Sequence, residues 1–413
     1  MPQDKGRGER LAIRGDRVYL CRRMPVLLLI VFIDLIGFGI VIPLLPYYAL
    51  RFDASPFEVT LLMAAYSLAQ FITAPMLGRW SDRVGRRPVL MASLLCTCVG
   101  YLWLALAGQL WMLFAARLLQ GAGAGNIGTA QAYIADVTPP DKRAKGMGMI
   151  GAAFGLGFTI GPAIGGLLAG ANPETSRLAL PAFLAAALSA TALLIAAFRL
   201  KESLPPEARG TAIRPNRLAV ARVAFTRPTL GRLILVLFLT VSAFAGMEST
   251  FALWANRSFD WGPEQVGWVF FYVGLVLAGL QGGAIGQLSK RFGEGRLVIS
   301  GAAVIGLGLL ALALSHGLWE VLVACGLLSI GMGLLNPSVT SLVSKEAGSD
   351  ERGGLLGVSQ SASSLARILG PAVAGGVFSL AGRDAPFYLG ALVMAWVVAM
   401  SMRMGRREPA VVS

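Results

Sequence analysis

Apolar residues run through this chain in blocks of about 20, each long enough to cross the hydrocarbon of a bilayer as a helix. Short clusters of Gly, Pro and charged residues separate them. The blocks fall near 25–48, 57–77, 88–107, 111–135, 146–170 and 178–199, and again near 230–254, 264–287, 296–315, 318–343, 354–380 and 386–403. Lipid offers no partner to a free backbone amide, so helices are the expected spanning element for segments of this length. The pattern predicts an all-α membrane protein with twelve transmembrane helices.

Composition agrees with that reading. The 413 residues are 55% hydrophobic and 14% charged, against roughly 25% charge in an ordinary soluble protein. The net charge of +14 does not point to nucleic acid, because Lys and Arg are confined to short segments between apolar runs and form no basic face with aromatics. Most of the 36 Lys and Arg residues lie in the N-terminal tail, the loops after even-numbered helices or the C-terminal tail, while Arg51, Arg177, Arg257 and Arg383 lie on the other side. The positive-inside rule then puts both termini in the cytosol, with the chain in the plasma (inner) membrane. The arginine-rich start MPQDKGRGERLAIRGDRVYLCRR is too long and too charged for a signal n-region and reads as a cytosolic tail.

Other chemistry is sparse. Cys21, Cys96, Cys98 and Cys325 show neither paired spacing nor a metal pattern, so reduced thiols and no metal are expected. The single histidine, His316, falls in a short loop after helix nine and is expected at the surface. The sequence has no GxxxxGK[ST] and no HExxH, so neither ATP-driven pumping nor an embedded enzyme is indicated, and no cofactor is expected.

The chain repeats itself. GRWSDRVGRRPVL at Gly78 is echoed by GQLSKRFGEGRLVI at Gly286, RFDASPFEV at Arg51 by SFDWGPEQV at Ser258, and DKRAKGMG at Asp141 by DERGGLLG at Asp350, at an offset of about 208 residues. The expected plan is a tail over 1–24, a six-helix bundle over 25–200, a proline-containing cytosolic linker over 201–229, a second bundle over 230–403 and a tail over 404–413. Such an internal repeat marks a secondary transporter whose site lies at the bilayer midplane between the halves.

Four motifs carry a family resemblance from about residue 25 to 400: IDLIGFGIVIPLLP at 33–46, GRWSDRVGRRP at 78–88, RLLQGAGAG at 117–125 and GLGFTIGPAIGG at 155–166. The chain resembles the major facilitator superfamily, and within it the twelve-helix drug/proton antiporters, especially the tetracycline-efflux-like group. The resemblance implies the major facilitator fold, with two pseudo-symmetric six-helix bundles. It also implies a gating latch made of Gly78, Asp82, Arg83, Gly85, Arg86 and Arg87, closing the cytosolic side with help from Asp136. In physical terms Gly78 and Gly85 let the chain reverse between two closely packed helices. Asp82 is expected at a helix N-terminus, where the dipole favours its charge. Lys290 replaces that aspartate in the second copy, so the latch is expected to be asymmetric. Gly157, Gly161, Pro162, Gly165 and Gly166 match the antiporter motif of helix five, where small residues permit close approach and the proline adds a kink. Tetracycline exporters of the best-known type carry a histidine in helix eight and an aspartate in helix nine. Here helix eight offers Gln281 and helix nine carries no acid within its apolar run.

Ionisable residues deep in a span cost about 2.5 to 3.5 kcal/mol on insertion scales and are functional candidates by default. Asp34 in helix one is the expected proton carrier. Arg117, which matches the helix-four arginine of the family, would influence it, and Glu248 on helix seven would recognise substrate or take part in coupling. Arg367 on helix eleven balances Glu248 or binds an anionic group. Phe38, Tyr66, Gln70, Gln120, Asn126, Gln131, Phe244, Gln281, Asn336 and Gln360 complete the candidate pocket, each also explicable as interhelical glue. The expected function is export of lipophilic, cationic or zwitterionic drug-like compounds in exchange for protons, by a lipid-embedded monomer. A proton-coupled metabolite or sugar importer of the same fold is the first alternative. A non-transporting receptor or scaffold is the second, and buried charges without a use argue against it.

Overall fold

The computed structural model describes residues 24–139, 142–210, 226–348 and 351–405. The N-terminal tail with Cys21, Asp141 and Asp350 of the third repeat pair, most of the linker and the C-terminal tail lie outside those residues. Among the described residues eleven helices are long and apolar enough to cross a membrane. In chain order the helices are α1 (Met24–Leu50), α2 (Pro56–Val84), α3 (Arg86–Ala105), α4 (Leu110–Gly123), α5 (Asn126–Val137), α6 (Arg143–Ala169), α7 (Ala179–Arg199), α8 (Pro228–Phe259), α9 (Pro263–Phe292), α10 (Glu294–Ala313), α11 (Leu318–Glu346), α12 (Arg352–Ala381) and α13 (Ala385–Gly405).

The twelfth crossing is the pair α4 and α5, which corrects the continuous helix expected over 111–135. The helix breaks at Ala124 and Gly125, within a run of glycines that lowers the cost of leaving helical geometry. The break is packed from both sides: a side chain at Gly123 would meet the Ser93 carbonyl at 2.8 Å. The Ala124 carbonyl freed there accepts from Gln70 Nε2 at 3.2 Å. Helix eight is also irregular, with a π turn over Leu280–Ala284 inside α9. Such turns widen a helix by one residue and are frequent at functional sites.

Local signals set the other boundaries. The Ser55 hydroxyl accepts from the Glu58 amide and the Glu58 carboxylate accepts from the Ser55 amide at 2.8 Å, a capping box with Pro56 in the first turn of α2. Between α2 and α3 the chain turns at a single residue, Gly85, with φ 116° and ψ 163°.

The two bundles meet along two helix pairs, α2 with α12 and α6 with α9. The α6–α9 seam runs antiparallel. The Gly170 carbonyl accepts from the Glu264 amide at 3.3 Å, Gly166 faces the Pro263 carbonyl, Gly267 faces Pro162, and Gly274 faces Thr159. One helical turn further the pairing lapses, since Gly155, Gly151 and Gly148 on α6 and Gly279, Gly282 and Gly283 on α9 have open space about them. On the second seam Gly375 packs on Thr60, while Gly357 and Gly353 at the other end of α12 are open. Tyr47 adds a bond from its hydroxyl to the Trp261 carbonyl at 2.9 Å on the closed face. The bundles therefore close on the face of the 51–55 and 258–262 loops and part toward the face of the 78–88 loop.

Candidate functional site

The apex of this opening collects the charges of the spans. Asp34, midway along α1, is 9% exposed, and its Oδ1 accepts from the Ser189 hydroxyl on α7 at 3.3 Å. Arg117 is 2% exposed at the middle of α4, so it does not snorkel to an interface. Its guanidinium lies 4.5 Å from the centroid of the Tyr66 ring and donates to Gln120 Oε1 at 2.9 Å. Tyr101, fully buried on α3, sits within electrostatic range of Asp34, Tyr66 and Arg117. Asp34 and Arg117 thus share two tyrosines as neighbours, and both belong to the first bundle.

An aromatic wall continues from this cluster. Phe38 lies 5.1 Å from Tyr66 and 6.3 Å from Phe158, centroid to centroid, and Phe158 stacks on Phe154 at 5.9 Å. These rings come from α1, α2 and α6, with Phe38 tilted 40° and 47° against Tyr66 and Phe158, and offer an aromatic surface to a ligand body.

The second bundle supplies Glu248 on α8 and Arg367 on α12. Glu248 is half-buried and Arg367 is exposed. Arg367 interacts electrostatically with Glu248 in its own bundle and with Tyr66 in the other. Gln360 is exposed on the same helix, Gln281 is exposed in the π turn, and Asn336 is half-buried. Phe244 borders a small apolar void of about 10 Å³ with Met247, Phe251 and Phe270 inside the second bundle. Gln70 is engaged at the helix-four break and Gln120 with Arg117, so both have structural partners. Gln131 is exposed on α5, and Asn126 opens that helix.

Residues 78–88 form a second constellation, built from the end of α2, the turn at Gly85 and the start of α3; Gly78 lies inside α2, so the chain reverses at Gly85 and not at the two glycines expected. Arg86 is buried, and its guanidinium donates to the Ser81 hydroxyl at 2.8 Å, to Asp82 at 2.5 Å and to Asp136 at 3.1 Å. Asp82 lies in the last turn of α2, not at the helix N-terminus the sequence suggested. The dipole disfavours an acid there, and the Arg86 cation compensates it. The amides of Arg86 and Arg87 at the start of α3 are instead held by Glu202, at 2.8 and 3.1 Å. Ser203 donates to Asp136 at 3.0 Å, Arg87 reaches the Ala197 carbonyl at 2.6 Å, and the Gly210 amide donates to the Asp82 carbonyl at 2.9 Å. Residues 202–210 therefore lie against the loop. Arg79 and Arg83 are exposed.

The antiporter motif divides its glycines between two partners. Gly157, Gly161 and Gly165 face Leu35, Gly39 and Ile40 of α1, within one bundle, whereas Gly166 and the Pro162 carbonyl face α9 across the seam.

The sequence model of the Major Facilitator Superfamily matches residues 27–371 and 249–412. The chain belongs to that family. Among its relatives, the class E tetracycline resistance protein of Escherichia coli is 34% identical over 361 residues, covering 85% of this chain and 87% of that protein. Multidrug resistance protein 2 of Bacillus subtilis (strain 168) is 29% identical, covering 93% of this chain and 94% of its own length. Among solved structures, the human organic anion transporter MFSD10 (TETRAN) superposes with a TM-score of 0.69 at 28% identity, over 92% of this chain and 99% of that one.

Four participants of this major facilitator protein escape a reading of the sequence alone. Phe154 and Phe158 stand four apart in GAAFGLGF, a spacing that places both on one helix face but does not say which. Tyr101 lies in an apolar run with nothing to distinguish it from core. Glu202 sits 116 residues from the amide it holds, beyond any local pattern. Within the second repeat the loop chemistry is inverted: at the offset of Arg86 stands Glu294, which accepts from Lys345 at 2.5 Å and from Ser341 at 2.8 Å. The expected asymmetry thus goes further than Lys290, because the ion pair joining the third helix of each bundle to the fourth has opposite sign in the two copies.

Proposed function

We propose that the protein exports small lipophilic, drug-like compounds in exchange for protons. The observation that carries this reading is Asp34, an acid buried at mid-membrane beside Tyr66, Tyr101 and Arg117 at the apex of an opening between bundles. A carboxylate so placed can carry a proton across when the opening switches faces. The names of the relatives support the substrate class, since tetracycline resistance, multidrug resistance and organic anion transport share a small organic molecule as their object. The aromatic wall supports it too. With both Glu248 and Arg367 at the opening, a zwitterion fits the site better than a simple cation.

Under the positive-inside assignment the tails and the 78–88 loop face the cytosol, so the form described is open to the cytosol. In this form Arg86, Asp82 and Asp136 are gathered within one bundle, and the reading assigns them to the switch that closes the cytosolic side.

Reconstitution into liposomes with a proton-sensitive dye tests the proposal. Imposed external acid should drive a lipophilic drug out of the cytosolic-side compartment and evoke proton movement. Asp34→Asn should fold, bind drug and lose all response to the gradient. Gradient-driven export by Asp34→Asn at the native rate would remove Asp34 as the proton carrier, and substrate uptake under the same gradient would make the protein an importer.

A further inference from the structure

Arg367 stands midway along the 30-residue α12, about 20 Å from either end at 1.5 Å per residue. Gly370 and Ala374 of this helix pack on α8 at Ser242 and Gly246, and Gly375 packs on Thr60 of α2. At about 100° per residue, Arg367 and Gln360 fall between those two faces, on the strip of α12 that borders the opening. Both are exposed. Among the described residues Arg367 donates no hydrogen bond and makes no ion pair, and its electrostatic neighbours are Glu248 and Tyr66.

An arginine at that depth is costly, and a guanidinium presents five donors in a planar fork shaped to grip a carboxylate. Arg117, the other cation of the apex, is already engaged by the Tyr66 ring and Gln120. Glu248 is the acid within electrostatic range of Arg367, and lipid headgroups lie a half-membrane away, so any further anionic partner at that depth has to be carried by a small molecule in the cavity. The Tyr66 ring it approaches starts the wall that runs through Phe38 to Phe158.

We propose that Arg367 anchors the carboxylate of an aromatic organic acid, free or as part of a zwitterion, whose ring system lies on Phe38, Tyr66 and Phe158. This deepens the exporter reading and rests on its assignment of the cavity to substrate.

The test uses full-length protein purified in detergent and four aromatic carboxylates, naphthoate among them, each paired with its neutral primary amide. Affinities are read by isothermal titration calorimetry. At least one acid is expected to bind about tenfold more tightly than its amide, as a charge-assisted pair requires. Arg367→Lys should keep part of that preference, and Arg367→Gln should bring acid and amide together while still binding the amide. Should Arg367→Gln not fold, the native chain and Arg367→Lys still decide the matter. Four acids that bind no better than their amides to the native chain would overturn the proposal, and so would a preference undiminished in either variant. A lipophilic cation exported under a pH gradient, with no preference for acids, would leave the exporter reading standing and remove this one. A clear preference for acids with no gradient-driven movement would do the reverse.

Discussion

Glu202 accepts the backbone N–H of Arg86 at 2.8 Å from 116 residues further along the chain. The same carboxylate takes the Arg87 amide and, at 3.0 and 3.1 Å, those of Ser203 and Leu204. It therefore does for α3 what a local Ser or Asp does elsewhere, capping orphan amides with a charge the helix dipole favours. Removing the oxygen acceptors by Glu202→Ala should cost about 1–2 kcal/mol. The apparent melting temperature in detergent should fall, while Glu202→Gln, which keeps one acceptor, should fall less. Equal melting of all three proteins would show that the cap contributes nothing.

Gly85 admits that carboxylate. Its φ of 116° with ψ 163° lies in a region essentially reserved for glycine, and a methyl there would run into Glu202. Gly85→Ala should destabilise by about 1–3 kcal/mol. Combined with Glu202→Ala the loss should be less than additive, because the collision disappears and only the backbone strain remains. Melting curves of the two single variants and the double variant give the coupling directly.

Gly161 and Gly166 should separate folding from switching. A methyl at Gly161 would lie 2.6 Å from the Gly39 carbonyl carbon, inside one bundle; one at Gly166 would lie 2.7 Å from the Pro263 carbonyl oxygen, between bundles. Gly161→Ala should lower stability by about 1–3 kcal/mol, the usual cost of overpacking. Gly166→Ala should fold normally but disfavour the form closed on that face. Spin labels at Glu174 and Arg383 should then report a longer distance in Gly166→Ala and an unchanged one in surviving Gly161→Ala.

The inverted ion pairs should differ in weight. Arg86 is 9% exposed with two acids about it, whereas Lys345 is 62% exposed against Glu294. Breaking a buried pair leaves an uncompensated charge and costs about 3–5 kcal/mol, while an exposed pair contributes about 1 kcal/mol or less. Arg86→Met should therefore be far more damaging in thermal unfolding than Lys345→Met. Added salt should weaken the effect of the second substitution and barely touch the first.

Hydropathy alone was enough to place the spans, because in lipid each backbone must satisfy itself locally and the apolar run is the whole requirement. Asp34, Arg117, Glu248 and Arg367 were visible for the same reason: a charge in an apolar run stands out. What stayed hidden depends on approach from elsewhere in the chain. The break at Ala124 is stabilised by Gln70, 54 residues away. The capping of α3 comes from the far end of its bundle, and the sequence offered Asp82 for that role only because it lay nearby. Phe158 joins the aromatic wall through the orientation of α6, which its packing on α1 and on α9 sets together. Which face of the molecule is shut could not be read at all, since the same glycines serve a sealed interface or an open one.

The lapsed part of the seam between α6 and α9 is furnished like the sealed part. Gly148, Gly151 and Gly155 on α6 and Gly279, Gly282 and Gly283 on α9 each have open space where a side chain would stand. Tilting one bundle could zip these unused notches as the used ones unzip, without any side chain having to step aside. In the exporter proposed above, two near-equivalent fits of this kind would leave only a small free-energy gap for a proton or a bound solute to tip.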